Sequence, residues 1–161
     1  MKILFALDRS HASEYEATKT HLVIEIYYER FISDVEMIFE GQKINLPKVP
    51  VLYFLTAMQH MLFESYLTKK PAVESLWETG ERFSITVDKS GDIQLEIPLG
   101  INRFCVPIDK FSIAIKDATM KLLWLIHDID LPLLSSRTLF EKGSIQYLAV
   151  ELMLSGKLPP V

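Results

Sequence analysis

The chain has 161 residues, 49% of them apolar and 24% charged, and its 17 Lys and Arg against 21 Asp and Glu give a formal net charge of −4. A chain of this length buries roughly two-thirds of its unfolded surface in one core, and the composition lies far from the low-hydrophobicity, high-charge regime of disordered chains. An acidic chain without a basic cluster is poorly equipped to neutralise phosphates, which argues against a nucleic-acid partner. The one cysteine, Cys105, excludes an intramolecular disulfide and a Cys-based structural zinc site, and it suits a reducing, cytoplasmic setting.

Met1 to Leu7 form a short apolar run that Asp8 and Arg9 end before a signal-peptide core is complete, so the run is read as a first strand. Asp8 to Thr20 is polar and unpatterned, as in a loop or a short exposed helix. From Leu22 to Glu29, Leu22, Ile24, Ile26 and Tyr28 share one face of an extended chain, and Val23, Glu25, Tyr27 and Glu29 share the other. Val35, Met37 and Phe39 then alternate with Asp34, Glu36 and Glu40; Gly41 turns the chain, and Lys43 to Leu46 pair back.

A helix is predicted from about Val51 to Thr68, with Pro50 in its first position and Lys69, Lys70 and Pro71 marking its end. Apolar residues surround it except along a narrow stripe of Thr56, His60, Glu64 and Thr68, so it must be covered on more than one side. Phe83 to Asp88 and Ile93 to Ile97 alternate as a hairpin, joined through the four residues Lys89 to Asp92. Arg103 to Ile108 continues this meander, with Phe104 and Val106 on one face, Cys105 on the other, and Pro107 at an edge or strand end.

Asp109 is the expected N-cap of a second, amphipathic helix that buries Phe111, Ala114, Ile115, Ala118, Leu122, Leu125 and Ile126, with Lys110, Asp117, Lys121 and Asp128 opposite. A last helical segment is predicted between Thr138 and Leu154. The longest apolar runs are broken by Thr56, Gln59 and His60 or by Lys116, Asp117 and Lys121, so no stretch of about 20 residues is left to cross a membrane. Strands followed by a helix occur twice, without matching residues that would mark a repeat, and no linker divides the chain. The expectation is one domain over residues 1–161 of the α+β class, with antiparallel β-meanders packed against one long apolar helix and one or two C-terminal helices.

Chemistry is sparsely marked. His60 and Glu64 stand four apart on one helix face, the spacing that lets two side chains reach one metal. With a third ligand from His127 or Asp128 they would outline a small metal-dependent hydrolase, although the HExxH pattern is absent. The plainer reading is a solvated polar stripe, and for His127 and Asp128 a helix end running into a turn. Glycine-rich phosphate loops and a G-x-S-x-G elbow are missing, and no local signature pairs Cys105 with a histidine base. No cofactor is expected.

Glu25, Tyr27, Glu29 and Glu36 instead suggest an acidic, tyrosine-bearing strand face suited to a basic protein partner. The leading expectation is a small acidic protein-binding domain, for instance an immunity or antitoxin-like inhibitor. The metal-dependent hydrolase is the alternative, and an apolar-ligand carrier with a cavity between the sheet and the Val51 helix is the third reading.

Overall fold

The computed structural model describes residues 1–7, 31–75, 80–98 and 102–129, and near the end of the last helix only the backbone of Leu123 and of residues 126–129. The expected strand from Leu22 to Glu29, the Asp8 to Thr20 segment and the helix between Thr138 and Leu154 lie outside the described residues. What is described is antiparallel sheet and helix, the α+β architecture the patterning implied. Strands β1 (Lys2–Phe5), β2 (Ile32–Phe39) and β3 (Gln42–Pro50) form a three-stranded sheet in that order, and helix α1 (Val51–Thr68) follows. Strands β4 (Ala72–Ser75), β5 (Arg82–Val87), β6 (Asp92–Glu96) and β7 (Arg103–Pro107) form a four-stranded meander, and helix α2 (Ile108–Ile129) follows. Among the described residues no helix is long and apolar enough to cross a membrane.

Local chemistry sets the turns. Glu40 and Gly41 both adopt positive φ, 48° and 82°, between the paired residues Phe39 and Gln42, the two-residue hairpin geometry that matches the twist of its strands. One extra residue in β3, Lys48 at φ 51°, makes a bulge; its N–H donates to Asp34 Oδ1 at 3.0 Å, which satisfies a group the ladder leaves free. The β5–β6 connection has the expected four residues but runs one place earlier, over 88–91, because Asp92 already belongs to β6. Asp88 Oδ1 accepts from Ser90 N (2.9 Å), Ser90 Oγ (2.5 Å) and Asp92 N (3.0 Å), and Gly91 supplies the left-handed φ of 89°.

Helix α1 has the predicted bounds, but Pro50 sits one place earlier than expected. It caps the helix in extended conformation as the last residue of β3, with no side-chain cap. The first orphan N–H, that of Val51, donates to the Phe31 carbonyl at 3.0 Å. At the other end Lys69 turns left-handed and donates its N–H to the Ser65 carbonyl at 2.9 Å, before Pro71 prevents continuation. Asp109 lies in the first turn of α2 rather than at its cap, where a carboxylate still favours the positive end of the dipole.

As its all-round apolarity required, α1 is covered on several sides, packing on β4 and β5, on β2 and β3, and on α2. The buried side chains of both sheets and both helices form one cluster. Phe54 and Phe83 are fully buried with ring centroids 5.9 Å apart, and burial of each such side chain contributes about 1.5–3 kcal/mol. Two polar residues of α1 are buried as well. Ser65 Oγ accepts the Val87 N–H at 2.9 Å, and Gln59 Nε2 donates to Thr119 Oγ1 of α2 at 2.9 Å.

The second half of the fold repeats the first, although no repeat was visible in the sequence. Leu4 faces Glu36, which faces Asn45; in the other sheet Ser84 faces Glu96, which faces Arg103. Phe5, Val35 and Leu46 are registered as are Ile85, Leu95 and Phe104, and Ile32 pairs with Pro50 as Asp92 pairs with Pro107. The Lys48 bulge is the one insertion between Asn45 and Pro50. Val49-Pro50-Val51-Leu52-Tyr53-Phe54 and Val106-Pro107-Ile108-Asp109-Lys110-Phe111 then lead each last strand directly into its helix. Phe54, Ala57, Met58 and Met61 are buried in α1, as are their mates Phe111, Ala114, Ile115 and Ala118 in α2. Contacts are reciprocal too: α1 packs on β2 and β3 of its own half and on β5 of the other, and α2 packs on β6 and β7 and on β1. Such reciprocity is what an approximate two-fold relation produces. Strand β4 has no mate among the described residues.

Candidate interaction site

The polar stripe of α1 faces outward: His60, Glu64 and Thr68 are exposed and Thr56 is half-buried. His127 and Asp128 fall in the last turn of α2, and their side chains lie outside the described residues. Among the described residues no group of three His, Cys, Asp or Glu side chains is placed to hold a metal. Cys105 is exposed on the outer face of β7.

Trp124 is 63% exposed on α2, in line with the exposed Ile113 and Met120. Lys121 does not simply join the solvated face of its helix. Its Nζ donates to the Phe5 carbonyl of β1 at 3.0 Å and lies 4.4 Å from the Phe5 ring centroid. Ala6 turns its N–H inward to Ser33 Oγ at 3.0 Å, so by strand alternation the Phe5 carbonyl points away from β2, to the side of β1 where no described strand pairs. Lys121 caps that side with a charge, a device that discourages edge-to-edge association.

The described concave feature with polar and apolar walls is on the outer face of the three-stranded sheet. It is a groove of about 430 Å³ running over β1, β2 and β3. One row across the strands is Leu4, Glu36 and Asn45, and Ala6, Asp34 and Pro47, each two residues from a member of that row, line the groove beside it. The core faces of the same strands hold Ile3, Phe5, Val35, Met37, Ile44 and Leu46, so strand alternation forces the intervening residues outward. Leu4 is left 42% exposed. Glu36 forms an ion pair with Lys43 on β3. Asp34 spends one carboxylate oxygen on the Lys48 N–H and is otherwise exposed.

Of the four residues expected to contact a partner, Glu36 therefore lies in the groove, and Glu25, Tyr27 and Glu29 are outside the described residues. Leu4, Ala6, Asn45 and Pro47 were not anticipated. The signal was present in Leu4, an apolar residue in phase with outward positions of its strand. The groove opens on the outer face of the sheet, away from the space between sheet and α1 where a carrier cavity was expected. Compared with known proteins, the chain matches no family model, no curated protein and no solved structure.

Proposed function

We propose that this chain is an acidic cytoplasmic protein-binding domain that engages a partner protein through the outer face of its three-stranded sheet. The observation carrying this reading is the groove, where a half-exposed leucine and a proline sit beside two carboxylates on an antiparallel sheet. Exposed apolar side chains rimmed by polar ones mark interaction surfaces, and the 430 Å³ volume falls in the range of clefts that hold ligands, roughly 300–1,000 Å³. Inhibition of a basic partner, in the manner of immunity proteins or antitoxins, is the form of binding this composition supports best.

The test is affinity capture from the native cell with three baits: the natural chain, a Leu4→Arg variant that fills the groove, and a Thr86→Arg variant on the corresponding strand of the other sheet. A partner recovered in stoichiometric amount with the natural chain and with Thr86→Arg, and lost with Leu4→Arg, supports the proposal. Equal recovery with all three baits would reject this face as the site. Metal retained through purification and lost in His60→Ala would favour the hydrolase instead.

A further inference from the structure

The repeated architecture supplies an internal reference for the groove. In the second half the positions equivalent to Leu4, Glu36 and Asn45 are Ser84, Glu96 and Arg103, and those equivalent to Ala6, Asp34 and Pro47 are Thr86, Gln94 and Cys105; Ser84 is buried where Leu4 is exposed, so the counterpart row is covered at that end. The Glu36 and Glu96 positions are the same, and each carboxylate takes an ion pair from the following strand, from Lys43 in one sheet and Arg103 in the other. The rest diverge in two consistent directions. Leucine, alanine and proline replace serine, threonine and cysteine, which makes the groove more apolar. Asparagine replaces arginine and aspartate replaces glutamine, which makes it more acidic. Two carboxylates and no base line the groove, whereas in the counterpart rows one carboxylate faces one guanidinium.

We infer that the groove receives an extended segment of the partner that carries a lysine or arginine between apolar side chains. The apolar side chains lie on Leu4, Ala6 and Pro47, and the cation meets Asp34. Glu36 is already neutralised by Lys43, so Asp34, an exposed residue of the groove whose bond to the Lys48 N–H uses only Oδ1, is the carboxylate left to attract a base. Charge complementarity selects the basic residue, and the apolar floor selects its neighbours. This inference rests on the proposed function, since it names the chemistry of the segment that the same face would hold.

The test is an NMR titration of the full chain with three acetylated and amidated pentapeptides, Ala-Leu-Arg-Leu-Ala, Ala-Leu-Gln-Leu-Ala and Ala-Leu-Glu-Leu-Ala, each taken to several millimolar. The arginine peptide is expected to shift the amides of Leu4, Ala6, Asp34 and Glu36, and to bind more tightly than the glutamine peptide, with the glutamate peptide weakest. Asp34→Asn keeps an amide oxygen for the Lys48 N–H and reproduces the uncharged residue found at Gln94, so folding is retained. It is expected to weaken the arginine peptide about fivefold and leave the glutamine peptide unchanged. Equal binding of all three peptides, binding insensitive to Asp34→Asn, shifts confined to the other sheet, or no shifts at all would each overturn the inference. None of these results bears on the capture experiment, which decides separately whether the face binds a partner.

Discussion

Replacing Gln59 by methionine should stabilise the protein. Gln59 is 4% exposed in the seam between the two helices; its Nε2 donates to Thr119 Oγ1 at 2.9 Å, while its Oε1 is buried with no hydrogen-bond partner. An unpaired buried acceptor costs about 1–3 kcal/mol, and one neutral hydrogen bond contributes a net 0.5–1.5 kcal/mol or so. Methionine matches the length of the glutamine side chain, removes the orphan oxygen and forfeits the single bond. Thr119 is not stranded by the change, because a helical threonine hydroxyl can turn to the backbone carbonyl one turn earlier. The balance is a gain of about 1 kcal/mol, equivalent to a rise in midpoint of roughly 2–4 °C at this chain length. Urea unfolding of both proteins, with the slope checked for constancy, measures it. A loss of more than about 1 kcal/mol would refute the reasoning and show that the amide oxygen holds a partner in solution.

Two further outcomes follow from local contacts. Hydrogen bonding from Ser90, first through its side chain, holds the Asp88 carboxyl below the ordinary aspartate range. A folded-state pKa below the unfolded one means that the hairpin's stabilisation is present above the unfolded value and is lost as pH falls through the folded one. An NMR titration of the Asp88 side chain should therefore report an acidic shift that Ser90→Ala reduces, and an unchanged titration in that variant would contradict the assigned cause. Lys121→Met should remove the cap on the Phe5 carbonyl, cost about 0.5–1.5 kcal/mol, and produce concentration-dependent association in sedimentation velocity through the side of β1 where no described strand pairs. A variant as monodisperse and as stable as the natural chain would show that this side is protected by something other than this ammonium.

Elements were legible where a local cause acts alone. Pro50 and Pro71 bracket α1, Gly41 and Gly91 sit in turns that need positive φ, and alternation located β2, β5, β6 and β7. Strand β4 was missed because Ala72–Ser75 is too short to show a period. Gln59 looked like an interruption of an apolar run and Ser65 carried no signal; only the neighbours that cover them, Thr119 and the Val87 N–H, show why polar atoms are buried there. Trp124 is large and apolar, yet its helical phase with Ile113 and Met120 puts it outside. The repeat was hidden because connections of very different length separate equivalent strands, residues 6–31 between β1 and β2 against 88–91 between β5 and β6. What the halves share is register and burial rather than residue identity. Of the interaction site, the sequence marked Glu36 and its alternation; the apolar half of the groove became visible only when β1 was placed beside β2.

The reciprocal packing of α1 and α2 also gives the molecule a built-in set of controls. A backbone seat that holds serine at position 65 holds leucine at position 122, and one that holds leucine at 62 holds threonine at 119; all four are buried. Exchanging residues between mates thus asks how one scaffold tolerates a side chain it already accommodates elsewhere. Differences in the response then measure how far each half's surroundings, rather than its backbone, decide which side chain fits.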